Sequence, residues 1–335
     1  MRRALHLTNS RRTRDLLVPQ MAIYDRLGIK WHPYIMYFQT PNFSSPIVNT
    51  DSFGFRLTPF QGIPISPMNP SDYSSCNLLI GGSTAFGVGA ESDNGTIAAH
   101  LSSHTKSAWL NMGGRAFTAM QEFAVSASVY QDLPRIDSIV IVSGFNNLYL
   151  AQRNLPFELP LGSFFFQQTF ESAMEESSRG RLQRLSRMFG KQDDWHSTTS
   201  RTIDEAIELA VRTTRQSLLL WVAIAQSIGA RILFALQPTS MWSEREPIAK
   251  ESQLFAALSE FDPALSNSLA RINLDAYRKY RVALDQLAKD CGIGFLDLNQ
   301  YLLMDRALPD WFYVDRVHYT GAGYRRIAEG VLSAM

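Results

Sequence analysis

Five short apolar runs, separated by stretches long enough for a helix, recur along the chain from residue 77 onward. The runs that predict strands are residues 77–80, 108–111, 138–143, 231–236 and 294–298. The segments that predict helices are residues 96–104, 118–133, 203–228, 273–290 and 321–332. Strands that alternate with helices favour a parallel sheet covered on both faces. We therefore predict an α/β fold: a three-layer α/β/α sandwich with a flavodoxin-like, parallel five-stranded sheet.

Four short polar motifs occur within this pattern of strands and helices. In chain order they are residues 81–84 (GGST), 111–114 (NMGG), 144–147 (GFNN) and 315–318 (DRVH). The first and third directly follow predicted strands, which is where open α/β sheets bind their ligands. Together the motifs supply a serine, an asparagine amide, glycine backbone and an Asp/His pair. These are the groups that acyl transfer through a serine nucleophile requires.

In these motifs the chain resembles the SGNH (GDSL-type) hydrolase family of esterases and acyltransferases, whose four named residues are a Ser, a Gly, an Asn and a His in that order. The resemblance covers residues 76–150 and 290–335 by motif, and the stretch between them by strand and helix pattern only. It implies the SGNH hydrolase fold and a serine-dependent enzyme. Hydrolysis and transfer share the acyl-enzyme and differ in whether water or another alcohol accepts the acyl group.

Ser83, Asp315 and His318 match the family's catalytic residues. Ser83 follows a predicted strand in a glycine-containing turn, where an exposed hydroxyl can reach an ester carbonyl. An imidazole activates such a hydroxyl near neutral pH when a carboxylate fixes its tautomer. The alternatives are that Ser83 caps the following helix, and that Asp315 is a capping residue and His318 a surface residue. Two nucleotide-binding motifs are excluded for residues 82–89, because they fit neither the P-loop nor the G-x-G-x-x-G pattern.

The resemblance also implies an oxyanion hole. Asn146 and the backbone N–H of Ser83 are expected to donate to the developing oxyanion. Counting from Asn111, the family's oxyanion glycine falls at Ala116, whereas a glycine pair comes earlier, so Gly114 and Ala116 are both candidates. An alanine N–H can replace a glycine N–H there if φ is negative.

The chain departs from the family pattern at two further positions. Gly82 replaces the Asp of the GDS form, and Asn147 stands where the family usually has Asp. Asn147 therefore alters a contact to the loop network, and only Asn146 carries over from the third motif.

Composition excludes several other classes of protein. The sequence of 335 residues has 45% hydrophobic residues and a formal charge of +1, so no overall field favours nucleic acid or an anionic membrane. No apolar run is long enough to span a bilayer, and a basic start without an apolar core predicts no signal peptide, which favours the cytoplasm. Cys76 and Cys291 are interpreted as buried, unpaired residues. His100 and His104 lack further ligands at suitable spacing, so we expect neither a metal nor a cofactor.

Two segments lie outside the predicted sandwich. Residues 1–72, with many aromatics and prolines, predict an ordered N-terminal extension packed on a catalytic domain over 73–335. Residues 151–200 form an insertion, in which the apolar segment 164–166 (FFF) precedes a basic run. The basic residues are Arg179, Arg181, Arg184, Arg187 and Lys191. This run is either a solvated helix face, part of a lid, or a dock for an acidic or phosphorylated acyl donor.

Three functions follow from these features. The first is a serine esterase or O-acyltransferase acting on a small acyl ester, of a carbohydrate or another hydroxylated metabolite. Its carbohydrate part comes from the resemblance and from the aromatic extension, which could stack on sugar rings. The second is a thioesterase or acyltransferase that uses an acyl carrier protein or coenzyme A and binds it through the basic run. The third is a binding module that kept the fold without activity.

Overall fold

The computed structural model describes residues 11–69, 73–153, 163–167, 172, 201–303 and 311–335. Within these ranges the strands are β1 (Ile29–His32), β2 (Met36–Gln39), β3 (Thr58–Phe60), β4 (Ile63–Ile65), β5 (Ser75–Gly81), β6 (Ala108–Gly113), β7 (Arg135–Ser143), β8 (Arg231–Leu236) and β9 (Gly294–Asp297). The α-helices that can be given bounds are α1 (Met21–Arg26), α2 (Ser83–Phe86), α3 (Ile97–Thr105), α4 (Ala119–Ala127), α5 (Phe145–Ala151), α6 (Ile203–Ile228), α7 (Ala249–Phe261), α8 (Pro263–Ala270), α9 (Leu274–Asp290), α10 (Leu298–Leu303) and α11 (Gly321–Ser333).

Strands β5 to β9 form one sheet in the order β6-β5-β7-β8-β9. Every neighbouring pair in it is parallel. The path through the sheet therefore starts at β5, next to one edge, moves to the edge strand β6, returns across β5 to β7 and continues to the other edge at β9. This is the predicted flavodoxin-like order, and the α/β prediction is confirmed. The carboxyl ends of β5, β6 and β7 lie side by side, so the three motifs that follow them meet at one edge.

Both faces of the sheet are covered, as the alternation of side chains along β7 shows. Ile139 and Ile141 belong to one hydrophobic cluster, which helices α4, α6 and α9 complete. Val140 and Val142 belong to a second cluster, completed by helices α3, α10 and α11. Successive side chains of a strand point to opposite faces, so β7 contributes to both clusters. Full burial of such a side chain contributes roughly 1.5–3 kcal/mol, so both faces of these strands stabilise the fold.

Some predicted boundaries were wrong for local reasons. The helix predicted over 118–133 ends at Ala127 and is followed by a 3₁₀ turn at Tyr130–Asp132. The hydroxyl of Ser128 donates to the carbonyl of Val125 at 2.7 Å, and such local bonds compete with helix propagation. Strand β9 stops at Asp297, whose carboxylate accepts the N–H of Asn299 at 3.0 Å. The sequence patterns did not predict α7, α8 or the hairpins β1–β2 and β3–β4.

The N-terminal segment contacts the core through Arg56, whose side chain is fully buried. Its guanidinium pairs with Asp93 at 2.8 Å and donates to the carbonyl of Gly87 at 2.8 Å. It also donates to the hydroxyl of Tyr24 at 2.9 Å. Gly87 directly follows the short helix α2 that begins at Ser83. The boundary between an extension over 1–72 and a domain over 73–335 stays a prediction.

Most of the predicted insertion lies outside the described residues. This applies to the whole basic run, Arg179, Arg181, Arg184, Arg187 and Lys191. Of the apolar triplet, the ring of Phe165 stacks on Tyr149 of α5, with centroids 5.6 Å apart. The ring of Phe166 meets Tyr37 of β2 edge-on at 5.2 Å. The triplet therefore joins α5 to the N-terminal hairpin. Among the helices that the structure describes, none is both long and apolar enough to cross a bilayer.

Candidate active site

Ser83 lies at the carboxyl end of β5, as the first residue of α2. Gly82 precedes it as the N-cap residue, so Ser83 does not cap the helix as the alternative interpretation had it. Gly81 has φ of +153°, and a Cβ on it would lie 2.1 Å from the carbonyl oxygen of Val142. Only glycine fits this turn between strand and helix. The side chain of Ser83 is 9% exposed, less than the sequence predicted, because His318 lies against it.

Ser83, His318 and Asp315 form a continuous hydrogen-bonded chain. Oγ of Ser83 lies 2.7 Å from Nε2 of His318, and Nδ1 of His318 lies 2.7 Å from Oδ2 of Asp315. With the carboxylate accepting from Nδ1–H, the Nε2 atom is left as the acceptor for the serine hydroxyl. The arrangement can remove the proton of Ser83 during attack on a carbonyl carbon and return it to a leaving group.

The second carboxylate oxygen of Asp315 explains the three-residue spacing of Asp and His. Oδ1 accepts the backbone N–H groups of Val317 and His318, both at 2.7 Å. Asp315 therefore caps its own loop, as one interpretation had it, while its other oxygen holds the imidazole. Burial by itself raises the pKa of the Asp315 carboxyl, but the facing His318 and these hydrogen bonds outweigh burial and lower it. Asp315 is thus an anion at neutral pH, with one oxygen facing Nδ1 of His318.

Contacts from the 3₁₀ turn Ser240–Trp242 after β8 and from α7 hold the loop that carries Asp315 and His318. Ser240 donates its N–H and its hydroxyl to the carbonyl of Arg316, each at 3.0 Å. The buried carboxylate of Glu251 accepts the N–H groups of Phe312 and Tyr313 at 2.9 and 3.1 Å. The sequence analysis missed Ser240 and Glu251, because only the tertiary packing brings them to this loop.

Asn146 lies on the opposite side of Ser83, in the first turn of α5. Its Nδ2 donates to the carbonyl of Phe117 at 2.7 Å. The same nitrogen lies 2.9 Å from the point where a Cβ on Gly82 would stand. The absence of a side chain at Gly82 therefore lets the turn before Ser83 approach the amide closely. An amide nitrogen has two hydrogens, so Asn146 keeps one for a substrate oxygen beside Ser83.

Asn147 has a structural role, because its side chain connects helices α4 and α6. Its Oδ1 accepts the N–H of Ala119 at 3.0 Å, in the first turn of α4. Its Nδ2 donates to the hydroxyl of Thr214 at 2.7 Å, on α6. An aspartate could accept the N–H of Ala119, but it has no hydrogen to donate to the hydroxyl of Thr214 when ionised. The amide of an asparagine can do both.

The two candidates from the second motif differ in what their N–H groups do. The N–H of Gly114 donates to the carbonyl of Gly81 at 3.0 Å, which takes it out of an oxyanion hole. The N–H of Ala116 has no acceptor among the residues that the structure describes. Ala116 has φ of +58°. The negative φ that we expected of an alanine at this position was therefore wrong. A left-handed conformation costs an alanine roughly 1–2 kcal/mol, which is a physical reason for a glycine at this position.

Glu122 is a further buried group near the nucleophile that the sequence analysis missed. This carboxyl on α4 is 1% exposed, and its Oε1 accepts the hydroxyl of Ser143 at 2.8 Å. Oε1 also lies 3.7 Å from the point where a Cβ on Gly82 would stand. Burial raises the pKa of Glu122 to about 8, although the hydrogen bond from Ser143 lowers it in part. Glu122 is therefore mainly a neutral acid at pH 7.

The described part of the chain contains no group of three or more His, Cys, Asp or Glu side chains that could hold a metal ion. His104 contacts the carbonyl of His100 through Nδ1 at 2.8 Å, one turn earlier on α3. Cys76 is buried and Cys291 half-buried, and both are free thiols.

Comparisons with known proteins show a distant likeness to lipolytic enzymes. An extracellular lipase from Streptomyces rimosus is 15% identical, with 78% of this chain and 100% of the lipase covered and a TM-score of 0.45. A member of the lipolytic protein G-D-S-L family from Veillonella parvula is 11% identical, with coverages of 78% and 98% and a TM-score of 0.43. An acetyl xylan esterase, AlAXEase, is 12% identical, with coverages of 78% and 99% and a TM-score of 0.42.

These names agree with the family that the four sequence motifs resemble. No family model matches the chain, and no curated protein matches it significantly. Identities this low, with TM-scores below 0.5, say nothing of a substrate. The activity of this chain has to follow from the geometry of its own site.

Proposed function

We propose that this chain is an SGNH-type serine hydrolase that cleaves an acyl ester through an acyl-enzyme. The observation that carries the proposal is the hydrogen-bonded chain from Ser83 Oγ through His318 to Asp315, with 2.7 Å at each step. A serine hydroxyl, an imidazole and an anionic carboxylate in this order form the machinery of nucleophilic catalysis. A binding module without activity has no need to keep all three groups aligned.

In the proposed first step, Oγ of Ser83 attacks the ester carbonyl carbon while Nε2 of His318 takes the hydroxyl proton. The carbonyl oxygen becomes an oxyanion, and the N–H groups of Ser83 and Ala116 with the amide of Asn146 donate to it. Collapse of this intermediate breaks the bond to the alcohol, which leaves with the proton held by His318. Asp315 stabilises the imidazolium between these two proton transfers.

In the second step, water attacks the acyl-enzyme with His318 again as base, which releases the acid and regenerates Ser83. An O-acyltransferase follows the same steps with a sugar or another alcohol in place of water. A small acyl ester, of a carbohydrate or a similar metabolite, is the proposed substrate class. The carrier-protein or coenzyme A alternative depends on the basic run outside the described residues and stays a prediction.

Labelling with a fluorophosphonate probe tests the mechanism, because the probe phosphorylates only activated serines. We expect labelling of the wild type and, by mass spectrometry, an adduct on Ser83. Ser83→Ala should abolish labelling and lower turnover of p-nitrophenyl acetate by about 10³-fold or more. Ser227→Ala is the matched control, since its hydroxyl is exposed on α6 and bonds only the carbonyl of Ile224. An unlabelled wild type, or a Ser83→Ala variant with normal turnover, would refute the proposal.

A further inference from the structure

The loop from Gly113 to Phe117 takes several of its hydrogen bonds from the N-terminal segment around the hairpin β1–β2. Gln39 of β2 donates to the carbonyl of Gly113 at 3.2 Å. Arg115 donates to the carbonyls of Tyr24 and Gly28 at 3.2 and 2.9 Å. Contacts from a segment far away in sequence therefore set the conformation of the second motif's loop.

Tyr37 makes the contact nearest to the proposed oxyanion donor. Its hydroxyl donates to the carbonyl of Ala116 at 2.6 Å. Its ring packs against Phe117, with centroids 5.6 Å apart, and the side chain is 1% exposed. Burial raises the pKa of Tyr37, so the hydroxyl keeps its proton and remains a donor. The bond is short and directed at the one residue of the loop with a strained backbone.

A strained backbone angle persists only where its surroundings impose it. Ala116 has φ of +58°, and the carbonyl that Tyr37 binds belongs to the same residue as the free N–H. Rotation of Ala116 to a negative φ would move that carbonyl away from the Tyr37 hydroxyl and tilt the N–H with it. The hydrogen bond from Tyr37 to the carbonyl of Ala116 therefore also fixes the orientation of the N–H group of Ala116.

We propose that Tyr37 is a positioning residue for catalysis: it keeps Ala116 in the left-handed conformation that presents its N–H to the oxyanion. This inference rests on the proposed function. The N-terminal hairpin then completes the active site without touching the substrate.

The test combines Tyr37→Phe and Ala116→Gly in one cycle. Tyr37→Phe removes a single oxygen atom and should lower kcat on p-nitrophenyl acetate about tenfold with KM unchanged, because the oxyanion contact forms mainly in the transition state. Glycine takes a positive φ freely, so Ala116→Gly supplies a background in which the left-handed conformation no longer strains the backbone, and its own kcat is the reference for the double variant. In the glycine background, Tyr37→Phe should then lower kcat by less than about threefold.

Tyr277→Phe is the matched control. It removes an equally short hydrogen bond, from Tyr277 to Asp297 at 2.6 Å, on α9. We expect a lower melting temperature for this variant with an unchanged kcat. If Tyr37→Phe does not fold, Gln39→Met replaces it in the same cycle, since Gln39 holds Gly113 of the same loop.

The outcomes separate this inference from the proposed function. An unchanged kcat in folded Tyr37→Phe, or an equal loss in both backgrounds, overturns the role of Tyr37. Loss that appears in KM alone overturns it too. None of these three results changes the labelling of the wild type on Ser83. The proposed function would be overturned if that labelling failed.

Discussion

The buried carboxyl of Glu122 makes the stability of this protein dependent on pH in an unusual direction. Its pKa is raised from 4.5 to about 8, mainly by burial. Between these two values the folded protein holds a proton that the unfolded chain has released. The free energy of unfolding therefore falls as pH rises through this window, since the folded state binds more protons. The stabilising contribution of Glu122 is fully present below the pKa that its carboxyl has in the unfolded chain. It is lost as the pH rises through the pKa of the same carboxyl in the folded protein.

The size of the effect follows from the pKa difference. Each pH unit inside the window changes the free energy of unfolding by about 1.4 kcal/mol. Over a range from about pH 5 to pH 8, Glu122 should remove roughly 3–4 kcal/mol. This is a large fraction of the 5–15 kcal/mol that is typical of folded domains.

Glu122→Gln removes the titration and keeps the shape of the side chain. Urea unfolding of wild type and variant at several pH values gives the difference in their free energies of unfolding. We expect this difference to change by roughly 3–4 kcal/mol across the window, in favour of the variant at high pH. The absolute stability of the variant is not the readout, because the new amide has to find its own partner. Glu208→Gln is the control, since Glu208 is exposed on α6. Parallel pH profiles of wild type and Glu122→Gln would refute this reasoning.

Three other predictions test the site and the insertion. Asn146→Ala should lower kcat by roughly 10²-fold with little change in KM, and steady-state kinetics that show the loss only in KM would make Asn146 a substrate-positioning residue. Asp315→Asn should lower kcat by up to about 10⁴-fold, because the amide favours the wrong tautomer of His318, and near-normal turnover would contradict this. Arg181→Glu with Arg184→Glu should weaken use of a carrier or coenzyme A donor more than that of a neutral ester, and more so at low salt. An equal loss of activity with both acyl donors would indicate that the basic run is a solvated helix face.

Sequence patterns were sufficient for the sheet, since five apolar runs that alternate with helical segments leave few alternatives to a parallel fold. They were also sufficient to choose Ser83, Asp315 and His318 as the residues to look at, and the structure brings these three together. The roles assigned to them stay predictions until they are tested.

What the sequence left open depends on contacts between distant segments. The choice between Gly114 and Ala116 needed the hydrogen bonds of each N–H, and no local rule supplies those. Tyr37 was one aromatic residue among many, and only its contact with Ala116 distinguishes it. Glu122 is one of 31 acidic residues, and its burial cannot be recognised from the pattern of α4 alone.

Ser83 and His318 are 235 positions apart, and this separation has a consequence for how the protein becomes active. Closing so long a loop is entropically costly, and the sheet can form before that happens. During synthesis, the nucleophile leaves the ribosome long before its base. In the proposed mechanism, Ser83 therefore has no base until the segment that carries His318 has been made and packs against it.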